Sequence, residues 1–100
     1  MEERQPATQA TLTDMPRIEI YCSTTCAYCS RTLRLLDLKG VAYEELRVDL
    51  TPHLRDEMEE RSGSTTVPQI FIDNFHVGGF DDLSLLDLEG ELDRLLGIDE

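Results

Sequence analysis

The chain has 100 residues, 40% of them hydrophobic, which is enough for the core of one small soluble domain. Its 21 acidic residues outnumber nine basic ones, so the formal net charge at pH 7 is −12. This acidity disfavours nucleic acids and anionic membranes as partners, because both are polyanions. The sequence also predicts neither a signal peptide nor a membrane span, since no apolar run approaches the roughly 18 residues that a spanning helix needs.

The N-terminal residues 1–16 are rich in Gln, Thr, Ala and Pro and show no hydrophobic period. They predict a mobile tail ahead of a single domain at residues 17–97. The three cysteines are an odd number, and Cys26 and Cys29 are only three positions apart. This spacing favours a reversible dithiol in a reducing, cytoplasmic environment over a framework of structural disulfides.

The first strand is predicted at residues 17–22, where apolar and polar side chains alternate with a period of two. A helix is predicted from about residue 27 to residue 39, because Cys29 and the leucines at i+4 and i+7 share one helical face. Gly40 is the expected end of this helix. Cys26 therefore lies at the helix N-terminus and Cys29 in the first turn.

The position of Cys26 favours a nucleophilic thiolate. Unpaired backbone N–H groups and the positive end of the helix dipole stabilise an anion at a helix N-terminus. We therefore expect a lowered pKa at Cys26, while Cys29 faces the core and stays a thiol until it attacks a disulfide on Cys26. The third cysteine, Cys22, is interpreted as a small residue at the end of the strand, with a regulatory thiol as the alternative.

The middle of the chain predicts a second strand and a second helix. The strand is expected at residues 41–50, where apolar residues alternate around Asp49. Thr51 then supplies a hydroxyl N-cap and Pro52 the first helical position. Gly63 ends this helix, whose charged residues form a solvated face.

The last third of the chain predicts a β-hairpin and two helical segments. Residues 70–72 form an unbroken apolar triplet, as in a strand covered on both faces, and residues 75–77 return antiparallel after a turn. A helix follows at residues 80–88, and a last short helix lies beyond Gly90. The order β-α-β-α-β-β-α predicts an α/β protein with the thioredoxin-like fold, a four-stranded mixed sheet flanked by helices.

Two short motifs are candidates for ligand contacts. A cis bond before the proline of Thr66-Val67-Pro68 would leave the preceding backbone groups free to pair with an extended peptide; the alternative is simply a proline at the start of a strand. The segment at residues 78–82, Gly-Gly-Phe-Asp-Asp, allows close backbone approach at a helix N-terminus, where N–H groups bind a carboxylate and an aspartate binds an ammonium. The alternative there is an ordinary Asp N-cap.

Together these motifs resemble the glutaredoxin family in order and spacing. The residues that carry the resemblance are Tyr21, Cys26-x-Tyr28-Cys29, Thr66-Val67-Pro68-Gln69-Ile70-Phe71-Ile72 and Gly78-Gly79-x-Asp81-Asp82-Leu83. The resemblance covers about residues 17–96 and is closest to small bacterial dithiol glutaredoxins. It implies a monomeric, glutathione-dependent thiol–disulfide oxidoreductase that acts on disulfide-containing and glutathionylated proteins in redox homeostasis.

The same resemblance implies roles for individual residues. Cys26 corresponds to the nucleophile that forms a mixed disulfide with glutathione, and Cys29 to the resolving thiol. The residues expected to bind glutathione are Tyr28, Thr66, Val67, Pro68, Gly79, Phe80, Asp81 and Asp82.

Two positions depart from the family pattern. Ala27 replaces the proline of C-P-Y-C, and Ser23 replaces a lysine that attracts the thiolate and a glutathione carboxylate. Arg61 or Arg31 is the candidate replacement for that charge. The substitution at Ala27 also leaves an alternative function open: a homodimer sharing a [2Fe–2S] cluster through Cys26 of each subunit and two glutathiones.

Overall fold

The computed structural model describes residues 16–98. The strands are β1 (Ile18–Cys22), β2 (Glu44–Arg47), β3 (Gln69–Ile72) and β4 (Phe75–Gly78), and the helices are α1 (Ala27–Lys39), α2 (Pro52–Ser62), α3 (Phe80–Leu88) and α4 (Glu91–Leu95). Apart from Pro16, the predicted N-terminal tail lies outside the described residues. Within residues 16–98, no helix is long and apolar enough to cross a membrane.

The four strands form one mixed sheet in the order β2-β1-β3-β4. β1 is parallel to β2 and antiparallel to β3, and β3 forms an antiparallel hairpin with β4. This topology confirms the predicted thioredoxin-like fold. Because β1 and β3 run in opposite directions, with Tyr21 opposite Gln69, the loop that follows β1 meets the loop that precedes β3. The candidate site is built where these two loops meet.

Helices cover the sheet on both faces. On one face, α1, α3 and α4 pack on alternate residues of β1 and β3 in a core cluster that includes Ile18, Ile20, Cys22, Cys29 and Leu36. On the other face, α2 packs through Met58 against Tyr21, Val48 and Phe71. Each large apolar side chain fully buried in this way contributes roughly 1.5–3 kcal/mol to the free energy of unfolding. The apolar triplet of β3 is buried on both faces, as its sequence predicted.

A polar network lies on the α2 face of the sheet. Arg61 Nη2 lies 3.1 Å from Glu19 Oε1, its Nη1 donates to Tyr21 Oη at 2.8 Å, and its guanidinium stacks 4.0 Å from the centroid of Phe71. The hydroxyl of Tyr21 donates in turn to Glu57. Burial and the bond to Glu57 raise the pKa of Tyr21 to about 12. Glu19, only 8% exposed, is therefore paired inside the protein.

The second strand and the start of the second helix differ from the prediction. β2 is four residues long, because Val41 N donates to a carbonyl of the preceding helix and Leu50 and Thr51 both donate to Arg47 O in a turn. Asp49 Oδ2 accepts from Thr24 N at 3.0 Å, which anchors that turn to the loop after β1. Thr51 is the N-cap of α2, as predicted, but its side chain makes no capping hydrogen bond.

The side-chain amine of Lys39, the last residue of α1, forms ion pairs with both α3 and α4. Lys39 Nζ lies 2.7 Å from Asp87 Oδ1 and 2.8 Å from Asp93 Oδ1. Gly40 follows with φ of 73° and ends α1 in the left-handed conformation, as predicted. The hydrogen bond to Asp87, followed by that to Asp93, raises the pKa of Lys39, so this junction stays ionic at neutral pH.

Candidate active site

Cys26 is the N-cap of α1, with φ −92° and ψ 115°, and its Sγ accepts a hydrogen bond from Cys29 N at 3.1 Å. The loop before it is fixed by contacts from the neighbouring strand: Arg47 Nη1 donates to Thr24 Oγ1 at 3.0 Å, and Asp49 holds Thr24 N. The sulfur of Cys26 therefore sits in the position that stabilises a thiolate, at the positive end of the helix dipole.

Cys29 lies one turn into α1 and is 2% exposed. The hydrogen bond with the Cys22 thiol, burial and the Cys26 sulfur raise the pKa of Cys29 well above that of an ordinary thiol. The two cysteines of the motif are thus chemically distinct, one half-buried at the helix terminus and one protonated in the core. All three cysteines are free thiols, and no group of three or more His, Cys, Asp or Glu side chains within residues 16–98 is arranged to hold a metal ion.

The loop before β3 faces Cys26. The Val67–Pro68 bond is cis, as predicted, and Cys26 Sγ lies 3.7 Å from the carbonyl oxygen of Val67. Gln69 Nε2 donates to Thr66 O at 3.0 Å, which fixes the loop from inside. A backbone segment is thus held beside the sulfur, where a peptide-like ligand can pair with it.

The third part of the site is the N-terminus of α3. Gly79 is the N-cap, and its N–H donates to Asp82 Oδ2 at 3.1 Å. Asp82 thus caps the helix from its third position, whereas the alternative interpretation of this motif was an aspartate at the N-cap itself, and Asp82 also lies at the surface. Asp81 is exposed, and no hydrogen bond or ion pair involves its side chain among the described residues. Its carboxylate is therefore available for a cation on a ligand.

These three segments form one groove of about 480 Å³. All eight residues that were predicted to bind glutathione line it: Tyr28, Thr66, Val67, Pro68, Gly79, Phe80, Asp81 and Asp82. The groove also contains Ser64, Gln69, Gly78 and His76. Cys26 does not line the groove itself, but its Sγ lies 3.7 Å from the carbonyl oxygen of Val67, which does. The eight residues come from three separate parts of the chain and meet in one groove, and their binding of glutathione stays a prediction.

His76 lies at the surface of the hairpin and has two contacts that support the groove. It is exposed, but its Nε2 lies 2.7 Å from Gln69 Oε1 and its ring stacks 4.8 Å from the ring of Phe71. His76 therefore supports Gln69, which in turn holds the loop at Thr66. In the sequence, the feature that could have placed His76 near the groove is its position in a predicted strand of the hairpin, two residues before Gly78.

Arg31 is the candidate cation at this site. Its Cζ lies 5.2 Å from the ring centroid of Tyr28, and the Tyr28 and Phe80 rings are 6.1 Å apart. Tyr28 is half-exposed, so this cation–π contact lies at the rim of the groove. Arg61, the other candidate, pairs with Glu19 on the face of the sheet that α2 covers.

Gly78→Ala should weaken ligand binding and stability together. Gly78 has φ of 114°, and an added Cβ would lie 2.9 Å from Asp82 Cγ, so the capping carboxylate must move. Gly40→Ala is the matched control, because Gly40 also has a positive φ (73°) but no atom within 4 Å of the added Cβ. The control should lose about 1 kcal/mol in the free energy of unfolding. Gly78→Ala should lose more and should also raise the Michaelis constant for glutathione, and equal effects in the two variants would contradict this.

The fold and the site define a thioredoxin-like thiol–disulfide oxidoreductase. The Glutaredoxin family model matches residues 18–77. Glutaredoxin 3 of Escherichia coli (strain K12) is 55% identical over 82 residues, covering 82% of this chain and 99% of that protein. The chain belongs to the glutaredoxin family, whose members are glutathione-dependent thiol–disulfide oxidoreductases.

Solved structures agree with this assignment. The solution structure of glutaredoxin from Brucella melitensis is 48% identical with a TM-score of 0.74, over 87% of this chain and 95% of that one. The crystal structure of a buckwheat glutaredoxin–glutathione complex is 27% identical with a TM-score of 0.75, over 89% of this chain and 84% of that one.

Proposed function

We propose that this glutaredoxin reduces protein–glutathione mixed disulfides and protein disulfides with Cys26 as its nucleophile and Cys29 as its resolving thiol. The observation that carries the assignment is the position of Cys26 Sγ, 3.1 Å from Cys29 N at a helix N-terminus and 3.7 Å from Val67 O. We further propose that it acts as a monomer in the cytoplasm.

The reaction is a pair of thiol–disulfide exchanges. The Cys26 thiolate attacks the glutathione sulfur of a glutathionylated protein, and the protein thiolate leaves and is protonated. A second glutathione thiolate then attacks the sulfur of that glutathione, which releases oxidised glutathione and regenerates Cys26. With a protein disulfide as substrate, Cys26 becomes linked to the protein, and Cys29 attacks Cys26 to give the Cys26–Cys29 disulfide and the reduced protein.

Glutathione fits the groove in one orientation. Its cysteinyl backbone pairs with the N–H and C=O of Val67, which places its sulfur beside Cys26. Its γ-glutamyl carboxylate lies at the N-terminus of α3, where backbone N–H groups and the helix dipole favour an anion. Its ammonium lies against Asp81 and Asp82, and Arg31 lies beside Tyr28 as a cation for the remaining carboxylate. The buckwheat relative, solved as a complex with glutathione, supports this ligand for the groove.

Asp82→Lys should weaken glutathione binding by placing a cation where the ligand's ammonium lies. The effect should appear as a rise of roughly tenfold in the apparent Michaelis constant for glutathione, with a smaller change in kcat. Asp82→Asn separates this role from helix capping, because the amide oxygen still accepts from Gly79 N while the charge is lost. Steady-state kinetics with glutathione as the varied substrate measure both variants.

Asp56→Lys is the control for Asp82→Lys. Asp56 is exposed on α2, on the opposite side of the sheet from α3, and the substitution changes the net charge by the same amount. It should leave the Michaelis constant for glutathione nearly unchanged. If Asp82→Lys behaves like Asp56→Lys, the acidic pair is only a helix cap and the proposed orientation of glutathione is wrong.

The family assignment does not favour the alternative of a [2Fe–2S] cluster shared by two subunits. That alternative depends on Ala27 in place of proline, and no contact among the described residues adds support for it. The relatives at 50–55% identity are named as glutaredoxins. The oxidoreductase is therefore the single function that we propose.

A further inference from the structure

A second groove, of about 260 Å³, lies between α1 and α3. Leu35, Leu38 and Phe80 supply its apolar lining, and Arg31 and Arg34 supply its cations. Phe80 also lines the glutathione groove, so the two grooves are adjacent at this ring. Leu38 is 79% exposed, which is unusual for a leucine beside a surface depression. The α1–α3 groove therefore extends the apolar surface of the site along α1.

The two arginines of this groove differ from the other cations of the chain, whose formal net charge is −12. Among the described arginines and lysines, those in ion pairs with carboxylates are Arg17, Lys39, Arg47, Arg55, Arg61 and Arg94. Within residues 16–98, Arg31 and Arg34 have no such partner; Arg31 contacts the ring of Tyr28, and Arg34 is exposed. Asp87 also lines the groove, but its carboxylate is paired with Lys39 at 2.7 Å. The groove is thus locally positive on an acidic protein.

This combination fits a short acidic peptide that also carries an apolar side chain. A guanidinium binds a carboxylate through two parallel hydrogen bonds. An apolar side chain on Leu38 gains roughly 25 cal/mol for each Å² that it removes from water. An extended polyanion is a poorer occupant, because the acidic surface around the groove repels it.

We propose that the α1–α3 groove binds the polypeptide next to the reactive cysteine of a protein substrate, and that it selects a segment with an acidic residue and then an apolar one. The inference rests on the proposed function, in which the substrate is joined to glutathione beside Cys26. Since glutathione fills the first groove, the substrate chain continues past Phe80 into the second.

The helix geometry gives the spacing of the selected residues. Cys26 is the N-cap of α1, and an α-helix rises about 1.5 Å per residue, so Arg34 lies about 12 Å and Leu38 about 18 Å along the axis from Cys26. An extended peptide covers about 3.3 Å per residue. The acidic residue is therefore expected about four positions from the substrate cysteine, and the apolar residue about six.

Two glutathionylated peptides of identical composition test this selection. Each has one cysteine; in one peptide an aspartate and a leucine follow it at these two distances, and in the other they precede it. At an ionic strength of about 0.15 M, where distant charges are screened, the protein should reduce one isomer with a kcat/KM at least about fivefold higher than the other. Equal values would overturn the proposed docking, whereas reduction of neither peptide would contradict the proposed function itself.

Arg34→Glu should remove the difference between the two isomers. It should leave unchanged the kcat/KM for the mixed disulfide of glutathione and 2-mercaptoethanol, which has no chain to place in the groove. Arg94→Glu is the matched control, because it changes the net charge equally and Arg94 is a 68% exposed residue of α4 outside the groove lining. Loss of the preference in both variants, or in neither, would assign it to something other than the groove.

Leu38→Ser tests the apolar half of the groove. It should lower kcat/KM for the favoured isomer about threefold and should have no effect on the same peptide with serine in place of its leucine. Equal losses on both peptides would show that Leu38 does not contact that side chain. Size-exclusion chromatography at the assay concentration should give a monomer. A dimer that Leu38→Ser dissociates would overturn the proposal, because a second copy of the chain would then cover the groove.

Discussion

Cys26→Ser is expected to abolish turnover, lowering kcat/KM for a small glutathione mixed disulfide by about 10³-fold or more. A serine hydroxyl at the N-cap of α1 still accepts the hydrogen bond from Cys29 N, so the fold should be kept. It does not ionise near neutral pH, and the nucleophile is lost. Glutathione-dependent reduction of the mixed disulfide measures the effect.

Cys29→Ser should retain most of this activity, because a second glutathione molecule can take the place of the resolving thiol. The same variant should fail on a protein disulfide, where Cys29 is needed to release the substrate. The two substrates thus separate the two cysteines. Equal loss in Cys26→Ser and Cys29→Ser on the glutathione mixed disulfide would show that the nucleophile is misassigned.

Arg61→Ala is expected to lower the free energy of unfolding by about 2 kcal/mol, because it leaves the buried carboxylate of Glu19 with only the exposed Arg17, at 3.5 Å, as a partner. The Glu19 side chain is 11% exposed and that of Arg61 24%, so solvent cannot replace the lost charge at low cost. The variant also removes a donor to Tyr21 and a stacking contact with Phe71. Denaturant unfolding at neutral pH measures the change.

Glu59→Ala is the control for this prediction. Glu59 lies on the same helix, and its pair with Arg55, at 3.8 Å, is exposed on both sides. Such pairs contribute a few tenths of a kcal/mol, so this variant should unfold close to the parent. Equal stability of the two variants would mean that the Glu19–Arg61 pair adds nothing.

The parts of the fold that the sequence predicted correctly are those that local chemistry determines. The period of the hydrophobic residues predicted the positions of β1 and α1. Gly40 was correctly predicted as the end of α1, because a residue without a side chain readily adopts the left-handed conformation. The length of β2 was not predictable in this way. Its residues are exposed or half-buried, and the turn after it is held by Asp49, whose partner Thr24 is 25 positions away in the chain.

In the site, too, the features that short sequence motifs determine were predictable, and those that depend on packing between distant segments were not. The motifs identified the residues of the groove because each motif is short and continuous in the sequence. Which of the two candidate arginines lies beside the groove depended on the sheet face on which α2 packs, and this face follows from the topology. That Cys22 and Cys29 share one core cluster likewise depends on how β1 and α1 pack, since neither residue alone signals the other.

The junction at Lys39 has a consequence for local unfolding. Lys39 is the only lysine in the chain, and it joins α1 to Asp87 of α3 and Asp93 of α4. Separating α4 from the domain breaks the bond to Asp93 and exposes the buried Leu92 and Leu96, so we expect the C-terminal helices to open cooperatively rather than by fraying from the end. The N-terminus of the same α3 forms one wall of the groove. We therefore expect a ligand bound in the groove to disfavour this opening, which slower amide hydrogen exchange in α4 would show.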